Sequence, residues 1–582
     1  MFYRAPVAEQ RFVLQHVAQI DALARDPRFA AATGEMIDVL LEEAAKFAEA
    51  IYAPLADTGD REGARWSDGA VHMPQGYREA YAAFVESGWG TISVPEVFGG
   101  QGMPNLLATI VMEDLGSANL GFSLINMLTP GAVDALIAHG SAEQHARWLP
   151  RLVTGEWNGT MCLTEPQAGS DVGAIRTMAT PMDDGLWKID GQKIFITFGE
   201  HDLTDNIVHL VLARTPDAPA GTRGISLFLV PKYRLDREGR PAEPNHVRCL
   251  SIERKLGIHV SPTCVMAFGE GGHCLGEMIG AEGGGLEAMF TMMNNARLSV
   301  GNQGVQVAER ATQQALSYAR DRRQSARADG SSGRTPVAIA DHPDVRRMLM
   351  RMEAQTQAAR ALIAYTAGQG DRAQIGVQGA RARADLLTPL CKAHGTDIGC
   401  EVASMGIQVH GGMGFIEETG AARHLRDARI APIYEGTNGI QAADLVERKL
   451  VRDGGAALFA LIADIRQEQP KPGNLWLLTD AVEAVARELL SFPVNDRLAG
   501  SYPFLTMVSV MTCGWLMARQ MDAASDLLAR NMGDPRFLTA KRSTASFYLQ
   551  IIVPEALGLV AGATAGARLL YAAEAHHFSE TR

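Results

Sequence analysis

The chain has 582 residues, of which 47% are apolar, and a formal net charge of −12. This length predicts about three to five domains or subdomains, and the acidic balance lacks the basic footprint of a nucleic-acid-binding protein. Seven scattered cysteines without a CxxC pair favour a reduced protein over a disulfide scaffold or a zinc site.

The N-terminus does not have the charged-then-apolar order of a signal peptide. No window approaches the roughly 20 uninterrupted apolar residues of a membrane span. We therefore expect a soluble, cytoplasmic protein without a transmembrane segment.

The first part of the chain is predicted to be helical. Residues 1–34 form an arm, and an N-terminal helical domain follows over 35–157. In 36–56, apolar residues recur at the three- and four-residue spacing of one helix face. Segment 134–156 predicts two helices with a turn at Gly140 and Ser141.

The pattern changes to β over 158–275. Apolar residues alternate on both sides of Asp190 and Gly191, which predicts a hairpin over 186–198 with that pair as its turn. The runs 206–214 and 224–231 read as further strands. A middle β domain is therefore expected between helical domains.

Long helical patterns resume and fill 276–452. Two of them cover 286–323 and 344–368, and a third leads to the glycine-rich QVHGGMGF. Two glycines and a polar stretch then mark a boundary, so 453–582 is predicted to be an additional helical domain. The expected fold class is mainly α with a central β domain.

One carboxylate, Glu435, stands in IAPIYEGTNGIQ after five uncharged residues. In an apolar pocket, burial would raise its pKa and make it a base suited to a weakly acidic proton. Alternatively, it is an acid near a helix N-terminus, with Thr437 as the cap and 438–452 as the helix. The local sequence leaves both interpretations open.

Three other segments contain candidate ligand-binding residues. In MCLTEPQAGSD, Gly169 allows close backbone approach, which suits a phosphate or a flavin edge; an ordinary turn is the alternative. Phe195 could cover a flat ring, or lie in a buried strand. The glycines of QVHGGMGF would admit a pyrophosphate, but they do not follow a strand, so they form no dinucleotide fingerprint. Arg322, at a helix end, could meet a diphosphate or be solvated.

Seven motifs occur in a fixed order: VPEVFGGQG, LTEPQAGSD, DGQKIFITFG, ARLSVGNQG, YARDRR, QVHGGMGF and IYEGTNGIQ. Their order and spacing resemble the acyl-CoA dehydrogenase family of flavoproteins over about residues 36–452. The long chain and its extra C-terminal region resemble a larger bacterial subfamily that includes 3-methylmercaptopropionyl-CoA dehydrogenases.

The resemblance implies an N-terminal helical domain, a middle β-barrel or sandwich domain, a C-terminal four-helix bundle and an additional helical domain. It implies FAD between the β domain and the bundle, contacted in part by a second subunit, and no metal. Glu435 matches the catalytic base. The implied cofactor-binding residues are Met161, Leu163, Thr164, Gly169, Ser170, Phe195, Thr197, Arg322, Gln408, Gly412 and Thr437. The implied substrate-binding residues are Ser170, Arg297, Tyr434 and Gly436.

Two positions depart from the family pattern. The family more often has Trp at the position of Phe195, and Thr or Ser at that of Gln324. Ring stacking at the first position and one FAD contact at the second are therefore expected to differ.

The implied reaction is the desaturation of an acyl-CoA thioester to the trans-2-enoyl-CoA, in fatty-acid β-oxidation. Glu435 would remove the α-proton while the β-hydride moves to flavin N5, and an electron-transfer flavoprotein would accept the electrons. The alternatives are a 3-methylmercaptopropionyl-CoA dehydrogenase, an acyl-CoA oxidase and a non-enzymatic nucleic-acid-binding relative. The acidic charge and Glu435 count against the last. A homodimer is favoured over a tetramer, because the extra region would cover the surface through which smaller relatives form tetramers.

Overall fold

A computed structural model gives the structure of residues 3–469 and 473–572, apart from the side chain of residue 294. The chain divides into two compact units. Among the described residues, the first consists essentially of Glu35–Ser299, with 3–5, and the second of Pro6–Gly34 and the described residues from Val300 onward.

Helices dominate both units. In chain order the α-helices are α1 Val7–His16, α2 Ile20–Leu23, α3 Gly34–Phe47, α4 Ala56–Glu62, α5 Tyr77–Glu86, α6 Asn105–Ala118, α7 Leu120–His139, α8 Ala142–Thr154, α9 Gly285–Asp321, α10 Pro343–Gln374, α11 Ala380–His410, α12 Ala421–Ala428, α13 Asn438–Asp444, α14 Ala456–Glu468, α15 Asn474–Ser491, α16 Val494–Ala499, α17 Ser501–Ala529, α18 Pro535–Phe547, α19 Val553–Glu555 and α20 Val560–Thr564. Short π-helical segments continue α3, α13 and α18 over Ala48–Tyr52, Leu445–Leu450 and Tyr548–Ile552.

The predicted pair of helices around Gly140 is confirmed. Helix α7 ends at His139, and Ser141 caps α8 by a reciprocal arrangement with Gln144. The Ser141 hydroxyl accepts from the Gln144 N–H at 3.2 Å, and the Gln144 side chain accepts from the Ser141 N–H at 3.0 Å. This capping box satisfies two backbone donors that the helix start would otherwise leave unpaired.

The strands lie in the first unit. They are β1 Arg65–Ser67, β2 Ala70–His72, β3 Asn158–Cys162, β4 Met178–Pro181, β5 Trp187–Thr197, β6 Ile207–Arg214, β7 Ile225–Pro231, β8 Tyr233–Leu235, β9 Pro241–Pro244, β10 Val247–Ile252, β11 Thr263–Phe268 and β12 Cys274–Ile279. The main sheet has the order β10-β11-β5-β12-β7-β6-β3, with β4 beside β5 and β6. Strand β7 is buried along its whole length and β6 along nearly all of it, as their apolar runs predict. The predicted central β domain is confirmed.

The predicted hairpin over 186–198 is wrong. Strand β5 runs unbroken from Trp187 to Thr197, and Asp190 and Gly191 lie inside it. Asp190 pairs with β4 and Gly191 with β11, so the strand changes partners at this point. A side chain at Gly191 would place its Cβ 2.5 Å from the Thr177 hydroxyl. Glycine is therefore explained by close backbone approach, and not by a turn.

The second unit contains the long helices α10 and α11 and most of α9, which begins in the first unit, as the sequence predicts. Helices α9 and α11 approach closely: a Cβ added to Gly304 would lie 1.9 Å from the carbonyl oxygen of Gly395. In the extra C-terminal region, α17 packs against α10, α11, α13 and α18. The predicted fold class, with its helical bundle and additional helical region, is confirmed.

Three helical stretches are long and apolar enough to cross a membrane by length and composition alone, which the count of uninterrupted apolar residues did not anticipate. They are Leu120–His139, Ser501–Ala529 and Pro535–Thr564. The apolar windows of the first two are 72% and 83% buried inside the protein, as expected of core helices, and that of the third is 28% buried. The absence of a transmembrane segment stays a prediction.

Candidate active site

The predicted site residues fall into two groups. Those in the first unit are Met161, Leu163, Thr164, Gly169, Ser170, Phe195, Thr197 and Arg297. Those in the second unit are Arg322, Gln408, Gly412, Tyr434, Glu435, Gly436 and Thr437.

In the first unit, the segment after β3 lies beside β5. The Ile194 N–H donates to the carbonyl oxygen of Thr164 at 2.9 Å, which brings Thr164 next to the strand that contains Phe195 and Thr197. Met161, Leu163, Thr164 and Thr197 are half-buried, whereas Gly169 and Ser170 are exposed. Arg297, on α9, is 8% exposed.

Phe195 is held in an unusual backbone conformation. Its φ is +61°, and the pairing of β5 with β11 slips by one residue here: Ile196 pairs with Cys264 but Lys193 with Met266. Such a bulge re-aims a side chain, and the Phe195 ring is 58% exposed. The alternative interpretation of Phe195 as a buried strand residue is therefore wrong.

A buried ion pair, which the sequence reasoning missed, joins the two segments. Lys193 Nζ lies 2.8 Å from Glu165 Oε1, with side chains 0% and 4% exposed. Lys193 also donates to the Leu163 carbonyl at 3.0 Å. The Glu165 carboxylate accepts from the backbone N–H groups of Arg176 and Thr177 at 2.7 and 3.0 Å. The sequence does contain a signal for this pair: Lys193 is a charged residue at an inward-facing position of an otherwise apolar strand.

The electrostatics of Glu165 follow from this pairing. Burial raises its pKa, but the Lys193 charge and the hydrogen bonds from Lys193, Thr177 and Arg176 outweigh burial and lower it to about 2. The carboxylate is therefore charged at neutral pH and clamps the loop that contains Thr164 to β5.

In the second unit, Glu435 lies in the loop between α12 and α13. It has a φ of +55°, and Gly436 follows with +81°. Positive φ is strained for a residue with a side chain, and such strain persists where the surroundings hold it. The surroundings here include the Tyr434 hydroxyl, which donates to Gln303, and the Gln441 amide, which donates to the Gly436 carbonyl at 3.2 Å.

The residues around Glu435 are buried to different degrees. Of the preceding residues Ala431 is buried, but Ile433 is 49% exposed, and Glu435 itself is half-buried. The neighbouring Tyr434 has a raised pKa, because of burial first and the Glu435 charge second. The apolar pocket expected around Glu435 stays a prediction.

The predicted cap at Thr437 is confirmed. Its hydroxyl accepts from the Ile440 N–H at 3.2 Å, and α13 begins at Asn438. Since N-cap Thr→Ala changes cost about 1 kcal/mol, Thr437→Ala should lower the free energy of unfolding by about that amount in denaturant titrations. Thr388→Ala, in the interior of α11, is the matched control and should cost less, because Thr388 caps nothing. Equal losses in both variants would contradict the cap.

The remaining residues lie near one end of the bundle. The Tyr318 ring stacks on His410 with centroids 4.4 Å apart, which brings the end of α9, and Arg322 after it, beside the end of α11. Arg322, Gln408 and Gly412 are exposed, and a Cβ at Gly412 would meet no atom within 4 Å. An apolar patch adjoins them, formed by Met413, Phe415 and Ile416, which are 50%, 84% and 46% exposed.

Comparison with known proteins gives matches along nearly the whole chain. Acyl-CoA dehydrogenase family models match in order: the N-terminal domain over 35–156, the middle domain over 160–270 and the C-terminal domain over 283–450. A fourth model, described as acetyl-CoA dehydrogenase C-terminal like, matches 473–574.

Individual relatives are similar over most of their length. A 3-methylmercaptopropionyl-CoA dehydrogenase of Ruegeria pomeroyi is 47% identical, covering 95% of this chain and 97% of the relative. The broad-specificity linear acyl-CoA dehydrogenase FadE5 of Mycobacterium tuberculosis is 34% identical, covering 95% of this chain and 96% of the relative. An acyl-CoA dehydrogenase from Bacillus anthracis, solved in complex with FAD, has the same fold, with a TM-score of 0.72 and 21% identity. The match covers 95% of this chain and 91% of that structure. The chain therefore belongs to the acyl-CoA dehydrogenase family, as its motif order predicts, and is an FAD-dependent oxidoreductase.

Proposed function

We propose that this chain desaturates an acyl-CoA thioester between its α and β carbons, with Glu435 as the base that removes the α-proton. The observation that carries the proposal is the conformation of Glu435. A glutamate at φ +55°, in a loop tied down by the bonds of Tyr434 and Gln441, has the direction of its Cα–Cβ bond set by the backbone. A general base needs such a fixed direction, because it must reach one particular proton of the substrate.

The residues of the first unit fit an FAD ring. Phe195 offers an exposed aromatic face, and Gly169 has open space where a side chain would be. Thr164 and Thr197 offer hydroxyls from the two segments that the Ile194–Thr164 hydrogen bond holds together. FAD, when bound, supplies the acceptor for the hydride that leaves the β-carbon.

The chain's own groups then act on the thioester. The Glu435 carboxylate takes the proton from the α-carbon. The backbone N–H of Glu435 donates to the thioester carbonyl oxygen and stabilises the negative charge that develops there. Gly436 leaves room for the thioester, and its φ of +81° also favours glycine.

The substrate we propose is 3-methylmercaptopropionyl-CoA or a thioester of similar length. The support is the 47% identity to the Ruegeria pomeroyi enzyme over nearly both whole chains. A linear fatty acyl-CoA is the second candidate, supported by the 34% identity to a broad-specificity linear acyl-CoA dehydrogenase. We further propose a cytoplasmic location and an electron-transfer flavoprotein as electron acceptor.

The test is anaerobic bleaching of the flavin by 3-methylmercaptopropionyl-, butyryl-, octanoyl- and palmitoyl-CoA. We expect the fastest bleaching with 3-methylmercaptopropionyl-CoA. Faster bleaching by palmitoyl-CoA would reject the substrate, and no bleaching by any thioester would reject the reaction. In air, stoichiometric peroxide release would indicate an acyl-CoA oxidase instead.

We also propose a homodimer in which the exposed patch of Met413, Phe415 and Ile416 meets a second copy. Exposed apolar patches of this kind mark interaction sites. Arg322, Gln408 and Gly412 would then contact the FAD diphosphate and adenosine of the neighbouring subunit. Light scattering should give the mass of a dimer, and a tetramer would reject the proposal.

A further inference from the structure

The region after residue 452 contacts the Glu435 loop through a chain of hydrogen bonds. Tyr502, in the first turn of α17, donates from its hydroxyl to Asp397 Oδ2 at 2.6 Å. Asp397 Oδ1, on α11, accepts from the side-chain amide of Asn438 at 2.8 Å. Asn438 is the first residue of α13, three positions after Glu435.

Asn438 fixes this loop to the bundle. Its side chain is 4% exposed and also donates to the Ala393 carbonyl at 3.1 Å, while its Oδ1 accepts from Lys392 Nζ at 2.9 Å. Its backbone N–H donates to the Pro432 carbonyl at 3.0 Å, which closes the loop around Glu435. Any shift of Asn438 therefore moves both ends of the segment that contains Glu435.

A second contact holds the helix beyond the loop. Arg497, on α16 and 6% exposed, donates to both carboxylate oxygens of Glu447 at 2.6 and 3.2 Å. Glu447 lies in the π-helical segment that continues α13. Since α17 also packs against α13, the extra region contacts the helix after Glu435 at more than one point.

We propose that the extra C-terminal region positions Glu435, and that Tyr502 is a positioning residue that acts through Asp397 and Asn438. The inference rests on the proposed function, because it requires Glu435 to be the base. Without the Tyr502 hydroxyl, Asp397 loses one of the two donors that orient its carboxylate. Asp397 can then rotate away from Asn438, and the Glu435 loop loses a restraint. Misplacement of a reacting group by about 1 Å can cost about 100-fold in rate.

The test is Tyr502→Phe, which keeps the ring and removes the hydroxyl, measured by anaerobic stopped-flow flavin reduction with 3-methylmercaptopropionyl-CoA and butyryl-CoA. With whichever thioester bleaches the wild type, we expect the rate at saturation to fall about 10-fold. The half-saturating concentration, FAD content and melting temperature should stay unchanged within about twofold or a few degrees. Asp397→Asn should give a similar fall. Because both substitutions disturb the same chain of hydrogen bonds, the double variant should be no slower than the slower single variant.

Asp464→Asn is the matched control. It removes the negative charge from another contact between the extra region and α11, the Arg383–Asp464 pair at 2.6 Å, far along the helix from Asp397. Its rate should match the wild type. A Tyr502→Phe rate equal to that of the wild type, losses that multiply in the double variant, or an equal loss in Asp464→Asn would each overturn the inference. Failure of the proposed function would differ, because the wild-type flavin would then not be bleached by any thioester.

Discussion

Glu435→Gln protein is expected to retain its yellow FAD and to lose flavin reduction by acyl-CoA by about 1,000-fold. Glutamine matches glutamate in size and keeps the backbone N–H that the thioester oxygen would use. Its amide cannot accept the α-proton at neutral pH. Binding and proton abstraction should therefore separate: a thioester that cannot be oxidised should still bind, while bleaching stops.

Glu418→Gln is the matched control for this variant. Glu418 is an exposed acid in the same unit, ahead of α12, and it has no role in the proposed reaction. Its rate should equal that of the wild type. Flavin reduction by Glu435→Gln within about tenfold of the wild-type rate would contradict the assignment of Glu435 as the base.

Lys193→Met is expected to destabilise the β domain by about 3–5 kcal/mol, the usual cost of removing one partner from a buried ion pair. Glu165 would remain 4% exposed, without the ammonium that neutralises it. Since the pair also holds the loop of Thr164 against β5, the variant should lose FAD more readily. Denaturant unfolding and the FAD content of the purified protein measure the two effects.

Lys188→Met is the control on the same strand. Lys188 pairs with Asp190 at 3.9 Å, with side chains 38% and 65% exposed, and exposed pairs contribute only about 0–1 kcal/mol. Equal destabilisation by the two variants would contradict the special role of Lys193. Because the Glu165 pKa is lowered from 4.5 to about 2, stabilisation by the wild-type pair should be complete above about pH 4.5 and be lost as the pH falls toward 2.

The long elements could be predicted because periodicity alone determines them. Helices α10 and α11 and strands β6 and β7 follow apolar patterns that no tertiary contact overrides. At Asp190 and Gly191, the local sequence pattern predicts the wrong structure. Its dipeptide is typical of a hairpin turn, yet the glycine is required by the approach of Thr177, which is distant in sequence.

The sequence predicts the chemistry of the site, but it does not predict the contacts that hold the site residues in place. Glu435 stands out as a single carboxylate among uncharged residues, but the sequence does not show that its neighbours Tyr434 and Gly436 are bonded to Gln303 and Gln441. The bond from Tyr502 to Asp397 joins residues 105 positions apart. No local pattern identifies such a pair, because neither residue lies in a motif.

The most direct measurement compares anaerobic flavin reduction by unlabelled and α-dideuterated 3-methylmercaptopropionyl-CoA, in the wild type and in Glu435→Gln. If Glu435 removes the α-proton, deuterium should slow the wild-type reaction, and the variant should show almost no reduction with either thioester. Equal rates for both thioesters, together with a variant as fast as the wild type, would contradict the account.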